Sequence, residues 1–302
     1  MPRAVLLTGY GPPEVLKLGE VEAGDPGPAQ IRVAVRFAGV GPTDLAIRAG
    51  YLRDAFPVAA GAVLGFEAAG VVDAVGAAVR DVRAGDGVAV YLPGLGGYAE
   101  MVLADYWVAK PEPVGWADAA ALPASGEAAV RVLGQLGVTS GETLLLLGAT
   151  GSVGTIATQL AVARGVRVVA AVRAADFPAA ERLGAIPVEY GESLADSVRS
   201  AAGRVDAVMD AAGKDGLETA IALAGGTRRV ITLSDPHAAK LGVTLSGPVA
   251  EGIPQALREA MTELAAGRLS LRPHTTVPLA QAAEAHARLE QGALRSKVLL
   301  AT

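Results

Sequence analysis

The sequence predicts an α/β fold in which a β-rich first part is followed by a parallel sheet covered by helices. Two observations support this prediction. Up to about residue 118, short apolar runs are separated by Gly/Pro turns, which is typical of a small antiparallel barrel or sandwich. Beyond that point, strand-like runs alternate with helix-like segments, which indicates βαβ units.

The elements follow in chain order. Strands are predicted at residues 4–7, 30–38, 68–75, 87–91 and 98–102. Two helices, at 117–122 and 125–136, precede the alternating region. The strands of the alternating region are predicted at 143–147, 167–172, 186–188, 207–210 and 229–233. Its helices are predicted at 153–164, 177–183, 194–201, 217–223 and 254–266. A strand at 275–278, a helix at 279–291 and a strand at 296–300 would return to the β-rich part. We therefore expect one domain from 1–118 with 268–302, and another from 119–267.

The composition of the chain excludes several classes of protein function. The chain has 302 residues, 51% of them hydrophobic, a formal net charge of −5 and no cysteine. The absence of cysteine excludes disulfides and thiolate-bound zinc. No basic block points to nucleic acid, and no apolar run approaches the roughly 20 residues of a membrane span. We expect a cytoplasmic protein without nucleic-acid or membrane partners.

A glycine-containing turn joins the first predicted parallel strand to the next helix. The buried run Leu144–Leu147 leads directly into Gly148, and the cofactor-binding residues that we predict in this turn are Ala149, Thr150, Gly151, Ser152, Val153 and Gly154. A strand, a glycine turn and a helix start are the context that a dinucleotide fingerprint requires, with free N–H groups facing the pyrophosphate. The alternative is a plain tight turn without a ligand.

Six motifs carry a family resemblance. They are GPPEVL at 11–16, AGVGPTD at 38–44, GFEAAGVV at 65–72, GGYAE at 96–100, AAALP at 119–123 and SKVLL at 296–300. In this order they resemble the medium-chain dehydrogenase/reductase superfamily, in its zinc-independent quinone oxidoreductase and enoyl reductase branch. The resemblance implies a GroES-like domain built from both chain ends and an inserted Rossmann domain.

The residue after the second parallel strand selects the cofactor. No Asp or Glu ends that strand; Arg173 follows it instead, and a guanidinium can hold a 2′-phosphate. Tyr190 matches a tyrosine that adds to this site in the family, so we predict NADPH. The alternative is that Arg173 is a solvated loop cation. The resemblance also implies cofactor contacts at Gly41, Ala212, Leu233, Ser234 and Lys297.

No metal site is expected. Phe66 stands where zinc-dependent relatives carry histidine, and Glu67 is expected to form structural hydrogen bonds. The histidines, His237, His274 and His286, are expected at the surface or an interface rather than as ligands.

There are two catalytic candidates: Tyr51, where related enoyl reductases often place a tyrosine, and Glu127, which departs from the small hydroxyl residue that the family often has there. Tyr51 would donate a proton or a polar contact, or else act as an aromatic lid. Glu127 would act as an acid or bind a polar substrate, or else point to solvent. Asp44 is expected to anchor its loop. Tyr106 and Lys110 have the Y-x-x-x-K spacing of short-chain reductases, but they precede the glycine turn in a β-like run and are not expected to be a catalytic pair.

The predicted activity is NADPH-dependent, zinc-independent reduction of a quinone or an activated C=C bond. A biosynthetic, polyketide-type enoyl reductase is included in this prediction. The alternative is an NADPH-binding sensor or structural protein with little catalysis. The predicted strands at 229–233 and 243–245 would form a sheet edge that pairs two copies into a homodimer.

Overall fold

The computed structural model describes residues 1–214 and 216–302. They form two compact units, which we name the terminal unit, Met1–Ala124 with Pro273–Thr302, and the central unit, Ser125–Arg272. These divisions differ by a few residues from the predicted ones at 118/119 and 267/268. The helix at 116–121 accounts for part of the difference, because it packs against strands of the terminal unit.

The strands are β1 (Arg3–Leu7), β2 (Leu16–Glu20), β3 (Ile31–Val40), β4 (Ala62–Val63), β5 (Glu67–Val75), β6 (Gly87–Tyr91), β7 (Met101–Ala104), β8 (Tyr106–Ala109), β9 (Thr143–Leu147), β10 (Arg167–Val172), β11 (Ile186–Glu189), β12 (Ala207–Asp210), β13 (Val230–Thr232), β14 (Thr244–Leu245), β15 (His274–Pro278) and β16 (Lys297–Ala301). The helices are α1 (Pro42–Ala49), α2 (Trp116–Ala121), α3 (Pro123–Leu136), α4 (Ser152–Ala163), α5 (Phe177–Arg182), α6 (Leu194–Ala202), α7 (Leu217–Ala224), α8 (Ala238–Leu241), α9 (Ile253–Ala265) and α10 (Ala282–Glu290).

The terminal unit contains two sheets. The larger has the order β15-β16-β3-β5-β6-β8, with β7 also paired to β3, and the smaller has the order β2-β1-β4. Strand β16 pairs antiparallel with β3, with Val298 opposite Val40. The last strand of the chain thereby completes the sheet that the first part begins, as the sequence predicted.

The central unit is built on a parallel sheet, which confirms the predicted fold class. Its order is β11-β10-β9-β12-β13-β14, and every pairing in it is parallel. Strand β9 lies between β10 and β12, and all five of its residues are buried. A strand covered on both faces by helices needs a continuous apolar run, which the four leucines provide.

Short elements escaped the sequence analysis. Helix α1 has only eight residues, and α8 is a single turn. The signal for α1 was nevertheless present, because Pro42 occupies its first turn and the Asp44 side chain accepts the N–H of Gly41. Within residues 1–214 and 216–302, no helix is both long and apolar enough to cross a membrane.

Close packing at the start of α4 generates a stability prediction. A Cβ at Gly154 would lie 2.2 Å from the carbonyl oxygen of Gly148 and 2.7 Å from Cα of Ala149. Both are backbone atoms that cannot move aside without shifting the turn. We expect Gly154→Ala to lower the free energy of unfolding by about 1–3 kcal/mol, measured by urea denaturation.

The control is Gly134→Ala in α3, where a Cβ would meet nothing within 4 Å. This change should stabilise the protein by up to about 1 kcal/mol, because alanine is the better helix former. Equal effects of the two substitutions would show that the close approach at Gly154 does not limit the fold.

Candidate functional site

The predicted turn lies at the carboxyl end of β9. Gly148 has φ 80°, a left-handed conformation that favours glycine, and its carbonyl accepts the N–H of Gly151 at 3.0 Å. Gly151 is the N-cap of α4, and no described side chain caps this helix end. Residues 150–153 are half-buried. The first N–H groups of α4 have no side-chain cap, which is compatible with anion binding. Cofactor binding by Ala149, Thr150, Gly151, Ser152, Val153 and Gly154 stays a prediction.

Asp210 organises the neighbouring loop, and the sequence analysis missed it. Its carboxylate is fully buried at the end of β12. Oδ1 accepts the N–H groups of Ala212 (2.9 Å) and Gly213 (3.0 Å), and Oδ2 accepts the Thr232 hydroxyl (2.7 Å). Burial raises the pKa of Asp210, while these hydrogen bonds oppose the rise. A buried acid at a strand end followed by Ala-Ala-Gly is the signal that could have identified it.

Three predicted residues lie in or against the segment around Asp210, and one of them, Ala212, reaches the glycine turn. Ala212 lies beside Gly148, since a Cβ at Gly148 would be 3.1 Å from its backbone nitrogen. Leu233 follows β13, and its N–H donates to the Asp210 carbonyl at 2.9 Å. Ser234 stands against Gly213 and is exposed. The carboxyl ends of β9, β12 and β13 therefore converge, which is where open α/β sheets bind ligands.

The predicted 2′-phosphate residues, Arg173 and Tyr190, follow the ends of the neighbouring strands β10 and β11, where Val172 pairs with Glu189. Arg173 is 55% exposed and ion-paired to Asp176, with Nη2 2.6 Å from Oδ2. The Tyr190 hydroxyl is buried near the N–H of Gly148 without hydrogen-bond geometry, and it has no hydrogen-bond partner among the described residues. Burial and the Asp210 charge raise its pKa. Tyr190 thus approaches the glycine turn, and Arg173 is held by a carboxylate.

Glu127, a predicted catalytic residue, is buried in a polar network of the central unit. Oε1 accepts Arg131 Nε at 2.8 Å, and Oε2 accepts Arg131 Nη2 at 3.2 Å. Arg131 also donates to the Ser246 hydroxyl, which in turn donates to Gln135 at 2.7 Å. Glu127 does not point to solvent, and both of its oxygens are engaged by one guanidinium. Its catalytic role stays a prediction.

Gly41 and Tyr51, two predicted residues of the terminal unit, flank α1. Gly41 begins the helix, and its N–H donates to Asp44 Oδ2 at 2.8 Å. Asp44 Oδ1 accepts the N–H of Gly65 at 3.0 Å, so Asp44 anchors two loops; burial raises its pKa to about 7. Tyr51 follows the helix and is 84% exposed.

Lys297 is buried in an ion pair with Glu67. Glu67 Oε2 also accepts the N–H of Ala124 at 2.8 Å, which is the structural hydrogen bonding that we expected of Glu67. The Lys297 ammonium is therefore engaged within the terminal unit. Among residues 1–214 and 216–302, no group of three or more His, Cys, Asp or Glu side chains could hold a metal ion.

One histidine prediction was wrong. His286 is fully buried in the terminal unit, where its Nε2 lies 3.1 Å from the Tyr98 hydroxyl. Burial lowers its pKa to about 3, so the ring is neutral. An alanine-rich helix gave no sign that one polar position would face inward.

Tyr106 and Lys110 lie in and just after strand β8, and the Lys110 ammonium stacks 4.9 Å from the Trp116 ring centroid.

Comparisons with known proteins agree with this architecture. A family described as alcohol dehydrogenase GroES-like domain matches residues 27–113, and one described as zinc-binding dehydrogenase matches residues 183–300. A quinone oxidoreductase of Pseudomonas aeruginosa is 32% identical over 260 residues, covering 81% of this chain and 77% of the relative. A 2-haloacrylate reductase of a Burkholderia species is 32% identical over 231 residues, covering 73% of this chain and 69% of the relative.

Solved structures give the same result for the whole chain. The quinone oxidoreductase of Escherichia coli complexed with NADPH is 26% identical, with a TM-score of 0.84 over 99% of this chain and 100% of that chain. The fold inferred from the sequence motifs, GroES-like and Rossmann, is thereby confirmed. The chain belongs to the medium-chain dehydrogenase/reductase superfamily, in its quinone oxidoreductase branch.

Proposed function

We propose that this protein is an NADPH-dependent reductase that transfers hydride to a quinone or to an activated C=C bond. Membership of the family makes it an oxidoreductase that uses a nicotinamide cofactor. The observation that carries the proposal is the uncapped start of α4 beside Gly148 and Ala212, with Arg173 at the end of the adjacent strand. The names of the Pseudomonas and Burkholderia relatives support the two acceptor classes.

The residues of the central unit fit NADPH. Gly151 leaves space for a pyrophosphate, because a Cβ there would meet only the Gly148 carbonyl oxygen, at 3.2 Å. The N–H groups at the start of α4 would bind the diphosphate, and Asp210 would hold Ala212 and Gly213 in place beside it. The Arg173 guanidinium would contact the 2′-phosphate.

When bound, NADPH supplies a hydride to the acceptor, which then takes one proton to become a hydroquinone or a saturated carbonyl compound. The protein must therefore offer a proton near the acceptor. Of the two predicted residues, Tyr51 is better suited, since its side chain is exposed and makes no hydrogen bond within the described part of the chain. Glu127 is engaged by Arg131. We propose Tyr51 as the proton donor and leave Glu127 a secondary candidate.

Gly41, Leu233, Ser234 and Lys297 remain proposed cofactor contacts. Gly41 has no side chain to contact the cofactor, and its backbone N–H already donates to the Asp44 carboxylate. Lys297 is fully paired with Glu67, so it would act through its position rather than as a free cation.

The activity test is stopped-flow oxidation of bound NADPH by a panel of quinones and enones. We expect turnover with at least one class. We also expect Tyr51→Phe to slow enone reduction by up to about 100-fold with NADPH affinity unchanged, because only the proton donor is lost. The control is Tyr10→Phe, whose hydroxyl accepts the backbone N–H of Val58.

Two outcomes would count against this proposal. Tight NADPH binding with no oxidation by any acceptor would favour the alternative function, a sensor or structural protein. An unchanged rate in Tyr51→Phe would leave reduction in place but assign the proton to another group or to water.

Cofactor choice gives a second prediction. We expect Arg173→Ala to weaken NADPH binding about 10- to 100-fold and to leave NADH binding nearly unchanged, since a charge-assisted contact to the phosphate is lost. The measurement is the dissociation constant of each cofactor by fluorescence titration. Arg182→Ala, an exposed arginine of α5, is the control. An undiminished preference for NADPH would overturn the role of Arg173.

We also propose a homodimer formed through β14. This edge strand exposes both of its residues, and Leu245 and Val249 are 58% and 54% exposed. An edge with unpaired backbone groups and apolar side chains is suited to pairing with a second copy.

We expect Leu245→Asp to convert the dimer to a monomer, because a carboxylate would be buried at the pairing edge. The measurement is sedimentation equilibrium. Ile186→Asp is the matched control, since Ile186 is 38% exposed on β11 at the opposite edge of the same sheet. A monomeric wild type, or equal effects of both variants, would contradict pairing through β14.

A further inference from the structure

His286 and Tyr98 form a buried polar pair in the terminal unit. Both side chains are fully buried, and their rings meet edge to face with centroids 5.8 Å apart. His286 Nε2 lies 3.1 Å from the Tyr98 hydroxyl, whereas His286 Nδ1 has no hydrogen-bond partner among the described residues. Burying polar atoms is costly unless hydrogen bonds compensate. An apolar pair would fill the same space at lower cost, so these atoms point to a role of their own.

Arg48, in the last turn of α1, reaches the same part of the core. Its side chain is 1% exposed; Nη1 donates to the Gly11 carbonyl at 2.6 Å, and Nη2 is ion-paired with Glu290. Glu290 lies four residues after His286 on α10, so both share one helix face and Arg48 lies beside the imidazole. Arg48 Nε is also buried without a partner in the described part of the chain. Burial lowers the pKa of His286, and the Arg48 charge lowers it further.

Tyr98 connects this pair to the first turn of α1. Asp44 Oδ1 accepts the N–H of Gly65 at 3.0 Å, and a Cβ at Gly65 would lie 2.6 Å from Cδ1 of Tyr98. The Tyr98 ring thus packs directly on the residue that Asp44 binds. Burial raises the pKa of Tyr98, and the Asp44 charge raises it further. The first and last turns of α1 are therefore both joined to the buried pair.

We infer that His286 is a positioning residue for the proposed reduction, and that it holds α1 through Tyr98 near its start and Arg48 near its end. The inference rests on the proposed role of Tyr51 as proton donor. Tyr51 follows α1, and its N–H donates to the Ala46 carbonyl within the helix at 2.9 Å. The orientation of α1 therefore sets the point from which the Tyr51 side chain reaches the acceptor.

The charge of Arg48 fixes the arrangement of protons in this chain of groups. A cation beside Nδ1 of His286 disfavours an N–H there and favours a lone pair. The neutral imidazole then carries its proton on Nε2 and donates it to the Tyr98 oxygen. The Tyr98 hydroxyl is left to donate towards Asp44.

The first test is the tautomer of His286, read by 15N NMR of the whole protein with labelled histidine. We expect Nδ1 to resonate as an unprotonated nitrogen and Nε2 as a protonated one at neutral pH. The spectrum of His286→Gln lacks this signal and so assigns it among the three histidines. A proton on Nδ1 would overturn the inference, because Arg48 would then not order the chain.

The second test is the rate of enone reduction at saturating NADPH. We expect His286→Leu to lower kcat about tenfold, as the loss of one hydrogen bond implies, with the dissociation constant of NADPH unchanged. His286→Gln should recover most of the loss, since its amide N–H can replace Nε2–H. His274→Leu, at an exposed histidine of β15, is the matched control. A circular dichroism melt checks that each variant is folded.

A double variant separates positioning from a purely structural role. If His286 acts through Tyr51, adding His286→Leu to Tyr51→Phe lowers kcat no further. A structural role would instead give losses that multiply, and this result would overturn the inference.

The remaining outcomes separate this inference from the proposed function. If neither quinones nor enones oxidise bound NADPH, the proposed function fails and this inference fails with it. If Tyr51→Phe slows enone reduction but His286→Leu does not, the proposed function stands and the role of His286 is overturned. An equal loss of kcat in His286→Gln and His286→Leu would also overturn it, because the N–H to Tyr98 would then have no effect.

Discussion

The close approach between Gly154 and the Gly148 carbonyl is the constraint on which the central unit depends. It allows α4 to start directly above the end of β9, so that the first N–H groups of the helix are presented at the carboxyl edge of the sheet. Strand β9 is completely buried between β10 and β12, which fixes the position of the turn. Ala212 touches the same turn from β12, because Asp210 bonds the loop that follows. The shape of the glycine turn, where we propose that the nucleotide binds, is therefore set by backbone packing more than by side chains.

In the terminal unit, buried polar groups are bonded to one another. Glu67 binds Lys297 and the N–H of Ala124, and Asp44 binds the N–H groups of Gly41 and Gly65. Removing one member of such a buried set would leave the other without compensation, which is costly. These residues lie in motifs shared with the family, yet their contacts in the structure are structural. A residue of a family motif can thus serve to hold its loop in place.

The sequence predicted what depends on local order. The buried leucine strand, the glycine turn, the following helix and the return of the C-terminal strand were all expected from residues near one another in the chain. Contacts between distant residues were not expected. Spacing alone does not show that Arg131 holds Glu127 or that His286 faces inward. Such contacts are set by how the helices and loops pack onto the sheet, and a single sequence carries no direct record of that packing.

In the proposed cofactor site, the carboxylate of Asp176 is paired with Arg173, the residue that would bind the 2′-phosphate. A dinucleotide site that prefers NAD places its carboxylate at the end of the second strand, where it meets the ribose hydroxyls. Here Arg173 holds that place and the carboxylate follows three residues later, at the end of a 3₁₀ turn, paired with the same arginine. Under the proposed use of NADPH, the 2′-phosphate would have to replace a carboxylate at Arg173 rather than fill a free cationic site. The preference for NADPH would then depend on the difference between two ion pairs of Arg173.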